Sequence, residues 1–176
     1  MKRYAALALT AALMTGAAAC DDSPTEPDDD NTVVFTANMT AAQETTPVTG
    51  AEANGTGTAT ITFNLTRDAS ETITGGTANF SANVANLPAG STLILAHIHT
   101  GAAGVQGGVL VNTGLSAATA ITVGANGTAT LTINNVSLNV TDINNIIANP
   151  AGFYFNIHSA LHPGGVVRGQ LVLQSS

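Results

Sequence analysis

The sequence predicts an all-β fold: a single antiparallel Greek-key β-sandwich with one short helical turn near 141–148. Three observations carry that prediction. Beyond residue 31, apolar residues alternate with Thr, Asn and Ser at a period of two, the pattern of strands with one dry face. Gly and Asn clusters interrupt the alternation roughly every ten residues, the spacing of turns between short strands. Helical spacing of apolar residues occurs in one stretch, "TDINNIIANP" at 141–150.

The elements follow in chain order. Residues 1–19 are expected to be a lipoprotein signal peptide. Lys2 and Arg3 form a basic start, and "YAALALTAALMTGAAA" is an apolar run closing on small residues. That run is too short and too weakly flanked for a membrane span. Cys20, the only cysteine, follows directly and is the expected site of lipid attachment, although Ala17 stands where that pattern prefers Leu. Lipidation would leave no thiol for a disulfide or a thiolate metal site. Residues 20–31 include "DDSPTEPDDD", with six acids, two prolines and nothing large to bury, and read as an acidic disordered tether. The sandwich domain is expected over 32–176.

Within the domain, "TVVFTANM" at 32–39 turns Val33, Phe35, Ala37 and Met39 to one face. "GTATITFNLT" at 57–66 does the same with Ala59, Ile61, Phe63 and Leu65, and "TANFSANV" at 77–84 with Ala78, Phe80, Ala82 and Val84. "TATLTINNV" at 128–136 offers Ala129, Leu131 and Ile133. In the helical stretch Ile143, Ile146 and Ile147 share a face, Thr141 or Asp142 is the expected N-cap, and Pro150 is the stop. "FYFNIH" offers Phe153, Phe155 and Ile157; "VVRGQLVL" at 166–173 offers Val167, Leu171 and Leu173. "HPGG" between these last two segments is a turn signal and predicts a hairpin.

Charge narrows the function. Residues 31–176 hold five acids (Glu44, Glu52, Asp68, Glu71, Asp142) against two bases (Arg67, Arg168). Phosphate binding needs clustered cations, so a nucleic-acid surface is excluded as a reading. Hydrolytic chemistry is also poorly served. No G-x-S-x-G occurs, Ser159 and His158 are adjacent and so point to opposite faces of a strand, and the acids are scattered.

The chemistry-bearing residues gather around "LILAHIHTGAAGVQGG" at 93–108. His97 and His99 lie on one strand face about 6.7 Å apart, a spacing from which two imidazoles can tilt toward one ion. Their strand is expected to run out toward the rim where the glycine-rich loop begins. A third imidazole would come from His158, and a His97, His99, His158 cluster suits copper or zinc. The alternative is that all three hydrogen-bond to loop carbonyls and hold the glycine segments in place. His162, before Pro163, reads as a turn residue. The expected hairpin brings Asn156 and Arg168 beside His158, where they would anchor a loop or bind a partner's carboxylate.

Three motifs, in this order, carry a family resemblance: "AAQETTPV" near the start, "AHIHTGAAGVQGGVLVNT", and "GFYFNIHSALHPGGVVRGQL" near the end. Together they resemble the CHRD (chordin) domain family over about residues 32–173. Thr46 replaces the first of two prolines of the entry motif, and Val167 stands at an often acidic or polar position. The sandwich read from the strand pattern is expected to be immunoglobulin-like or superoxide-dismutase-like. In animals such domains lie within chordin, an extracellular antagonist of bone morphogenetic proteins; bacterial members stand alone as secreted or lipid-anchored proteins, so the resemblance implies a bacterial stand-alone lipoprotein. The expectation is therefore a non-enzymatic, extracytoplasmic binding or structural domain, lipid-anchored to the cell envelope and facing the periplasm or exterior. Its partner would be a protein, a glycan or a second copy, and the membrane would be met through the lipid only. The alternative is a copper- or zinc-binding protein using His97, His99 and His158.

Overall fold

The computed structural model describes residues 31–174. The expected signal peptide, the lipid-bearing Cys20 and almost all of the tether lie outside the described residues. The described chain forms β1 (Thr32–Thr40), β2 (Thr56–Arg67), β3 (Ile73–Ala85), β4 (Thr92–Thr100), β5 (Val109–Asn112), β6 (Ile121–Thr122), β7 (Ala129–Leu138), α1 (Val140–Ala148), β8 (Phe153–Ser159), β9 (Val167–Gln170) and β10 (Val172–Leu173). Strand pairing is antiparallel throughout, in the order β5-β4-β8-β9-β1-β2-β3-β7, with β6 beside β4 and β10 beside β1.

The period-two pattern sets which faces are dry. Phe35, Ala37 and Met39 of β1 are buried, as are Ala59, Ile61, Phe63 and Leu65 of β2 and Ala78, Phe80, Ala82 and Val84 of β3. Apart from Val34 and Ala85, their neighbours on the other face are Thr, Asn and Ser. Phe80 stacks on Phe155 of β8, ring centroids 5.6 Å apart at 21°. Strands β3 and β8 are not neighbours in the sheet order, so this contact joins two halves of a rolled sheet face to face. The all-β sandwich expected from the sequence is the fold observed.

Two local expectations are corrected. The N-cap of α1 is Asn139, whose side chain accepts from the Asp142 backbone N–H at 2.8 Å, so the helix starts earlier than Thr141. Asn is among the best residues for that position, and Asp142 then lies in the first turn, where its charge suits the helix dipole. Leu173 is 43% exposed rather than inward. Strand β9 ends at Gln170, the Leu171 N–H bonds to the Phe153 carbonyl, and the chain then crosses to pair with β1, so the alternation does not carry through.

The hairpin signalled by "HPGG" forms: β8 and β9 pair with Asn156 opposite Arg168 and Tyr154 opposite Gln170. Strand β4 pairs on the other side of β8, with His97 opposite Asn156 and His99 opposite Tyr154. Three adjacent strands thus present His97, His99, Tyr154, Asn156, His158, Arg168 and Gln170 on one face. That face does not run out to the rim. The glycine-rich loop 101–108 folds back over it, leaving His97 6% and His99 8% exposed.

Candidate metal centre

The centre is built on β4 and β8. Imidazole centroids lie 5.4 Å apart for His97 and His99, 5.0 Å for His97 and His158, and 5.8 Å for His99 and His158. One ligand nitrogen from each ring falls within 4.8 Å of the other two. Around a four-coordinate ion with metal–nitrogen distances near 2.0 Å, ligand nitrogens stand about 3.4 Å apart. From separations of up to 4.8 Å, the ligand nitrogens need to close by at most about 1.4 Å to meet that geometry.

Hydrogen-bond partners assign the protons. His99 Nδ1 lies 3.1 Å from the Gly107 carbonyl, and His158 Nδ1 lies 2.9 Å from the Pro163 carbonyl. A carbonyl only accepts, so both Nδ1 atoms donate. In the neutral rings both Nε2 atoms then carry bare lone pairs. His97 Nδ1 donates to His158 Nε2 across 3.2 Å, whereas His99 Nε2 is buried with no hydrogen-bond partner. In His99 and His158 the two alternatives from the sequence occur together, a loop carbonyl bound through Nδ1 and a lone pair turned inward at Nε2, whereas His97 bonds to His158 and, among the described residues, to no loop carbonyl. A hydrogen bond on the far nitrogen that fixes ring and tautomer is a recurring arrangement for ligating histidines.

Burial keeps the rings neutral. It lowers the His97 pKa to about 4, and the neighbouring His158 and His99 add to that effect. Burial likewise lowers His99, with a further lowering from the Arg168 charge, and lowers His158, with His99 adding to it; hydrogen bonds to Gly107 and Pro163 work against both shifts. Neutral imidazole is the form that ligates metal.

The roof over this centre is fastened by the residues around it. Arg168, 1% exposed, donates from Nη2 to the Ala102 and Val105 carbonyls at 2.9 and 2.8 Å. Gln170 Nε2 reaches the carbonyls of Gly101, Ala151 and Phe153. The Gly107 N–H donates to the Tyr154 hydroxyl at 3.3 Å. Tyr154 lies between charge and imidazole: the Arg168 guanidinium carbon is 3.5 Å from its ring centroid, and His99 stacks on it at 5.0 Å and 8°. Arg168 therefore anchors the loop, while Asn156 hydrogen-bonds the Glu44 carboxyl.

Glu44, in the sequence one of five scattered acids, belongs to the site. Burial raises its pKa to about 7, against the lowering effects of Arg168 and Asn156. Its carboxyl presses against the backbone at Gly165 (φ 135°), where a Cβ would come within 2.6 Å of both carboxyl oxygens. Glu44, Arg168, Gln170 and the loop residues Ala103 and Gly104 line a cavity of about 240 Å³. Its only sequence signal was membership of the "AAQE" entry motif.

The second missed constellation is Glu52, Ser159 and His162. The fully buried Glu52 accepts from Ser159 Oγ at 2.6 Å and from His162 Nδ1 at 2.7 Å. His162 Nε2 accepts from the Thr49 N–H, so this ring too ties loops together and is more than a turn residue. Ser159 bonds the carboxylate and not an imidazole, so it is not set up as a nucleophile.

Among curated proteins none matches this sequence. A family model described as the CHRD domain matches residues 35–171. That run opens in β1 and closes just past β9, containing every strand of the histidine face, and by it the chain belongs to the CHRD domain family.

Proposed function

We propose that this domain binds a metal ion, copper or zinc, through His97, His99 and His158, and does so as a non-enzymatic binding domain outside the cytoplasm. One observation carries the metal reading: the buried His99 Nε2 has no partner and converges with His97 and His158. A buried lone pair left without a donor costs about 1–3 kcal/mol, and an ion at the centre would remove that cost. The ion would take the place of the proton now shared between His97 and His158. The extracytoplasmic setting is supported by the basic start, the apolar run and Cys20, which fit a lipid-anchored envelope protein. Any protein, glycan or second copy would meet it across the domain surface, and the membrane would be met through the lipid alone.

The test is metal analysis of the full chain. Copper or zinc is expected at one ion per chain, and at a hundredfold excess over the Kd it stabilises the fold by about 2.7 kcal/mol. Chain with His97→Ala and His99→Ala should show neither. If neither metal is retained or raises Tm, the reading fails; if binding survives the double substitution, the site is misplaced.

A further inference from the structure

We infer that the centre discriminates by ionic charge and takes copper as Cu(I) in preference to Zn(II) or Cu(II). This rests on the metal reading above. The donor set is three neutral imidazoles; among the described residues no carboxylate or thiolate joins the group. The ligands therefore cancel none of the ion's charge, and the site is buried. The cost of burying a bare ion rises with the square of its charge, so a dication is penalised about four times as heavily as a monocation.

The surroundings push the same way. Arg168 brings a permanent positive charge to this face, stacked on the Tyr154 ring that also stacks on His99. Its Nη2 donates to the neutral Ala102 and Val105 carbonyls and the Gln170 amide oxygen, and the buried Nη1 has no hydrogen-bond partner. Two acids stand nearby. Glu44 faces Arg168 and Asn156, and at neutral pH burial leaves it only partly ionised. Glu52 lies beyond Ser159, the neighbour of His158 whose side chain points to the other face of β8, and its charge is engaged by Ser159 and His162. Coordination number agrees. Zinc completes four ligands and would need a water or anion here, whereas three imidazoles can satisfy Cu(I).

The experiment uses the full chain at pH 7. Cu(I), added as its acetonitrile complex without oxygen, is competed against bicinchoninate, and Zn(II) against a zinc-chelating dye. Cu(I) is expected to bind at least about a hundredfold more tightly than Zn(II). Arg168→Gln should narrow that preference about tenfold, the scale of one unit charge near 10 Å at an effective dielectric near 20, and Arg168→Lys should keep it. Should Arg168→Gln not fold, Glu44→Gln carries the test with the opposite sign, because losing its negative charge widens the preference. Zinc binding as tight as Cu(I), yet lost with His97→Ala and His99→Ala, overturns the inference and leaves the metal reading standing. Binding of neither ion overturns both. A preference unmoved by Arg168→Gln, or by Glu44→Gln where that variant stands in, overturns the charge argument.

Discussion

Taken out of water between two other imidazoles, His97 has its proton affinity depressed from an ordinary 6.5 to about 4. The unfolded chain therefore binds this proton more tightly than the folded chain. Stability from His97 is present above the unfolded value and is lost as pH falls from about 6.5 toward 4, by on the order of 3 kcal/mol. His99 and His158 are lowered as well, and so is Glu52, held down by Ser159, His162 and Ser91 against its burial; all three act in the same direction. Glu44 opposes them, since its raised pKa costs stability as pH rises from 4.5 through about 7. Urea denaturation of metal-free chain at pH 6.5 and 4.5 is expected to show a clear acid loss, smaller in His97→Gln. An equal loss in that variant would place the acid sensitivity elsewhere.

The loop 101–108 is the element on which the centre depends. Within it a single turn closes from the Val105 N–H to the Ala102 carbonyl, and side chains hold it down: His99 of β4 and Arg168 and Gln170 of β9 donate to its carbonyls, and Tyr154 of β8 accepts from the Gly107 N–H. Gly107 is the point of closest approach, where a Cβ would sit 1.7 Å from the Thr100 carbonyl oxygen. Gly108, its neighbour, has nothing within 4 Å of that position. Gly107→Ala should therefore cost about 1–3 kcal/mol through forced displacement of the loop. Gly108→Ala should stay within about 0.5 kcal/mol of the parent. Equal midpoints for the two variants in urea would mean that the loop is not clamped where the geometry places it.

Across the whole molecule, the polar histidine face and the apolar interior lie on opposite sides of the same strands. In β8, Phe155 and Ile157 point into the core while Tyr154, Asn156 and His158 point under the loops, and all five are buried. The stack of Phe80 on Phe155 ties the half of the sheet carrying the centre to the half carrying β1, β2 and β3. Phe80→Ala should cost about 3–5 kcal/mol, read as a lower urea midpoint. With a typical domain stability of about 5–15 kcal/mol, such a loss leaves the protein marginal. Because the stack spans both halves, the transition should remain single, and separate unfolding of the histidine face would contradict the packing described.

How much of this was legible from residues alone divides by distance along the chain. Dry faces of β1, β2 and β3 follow from period-two alternation, because a strand's side chains alternate whatever it packs against. The β8–β9 hairpin follows from "HPGG" for the same local reason, as does α1, apart from its cap, where Asn139 took the role expected of Thr141 or Asp142. The histidine triplet was foreseeable as a set of residue types, since "HIH" shares one strand face and few other imidazoles exist. Tertiary structure alone decided that β4 and β8 are neighbours, which brings His158 to His97, and that loop 101–108 roofs the face. It also decided that Glu44 reaches Asn156, and Glu52 reaches Ser159, across more than a hundred residues. Local pattern reports the conformation of a segment and the face it must bury. Which buried faces meet, and so which lone pairs converge, depends on packing between distant strands, a free-energy balance that no single segment contains.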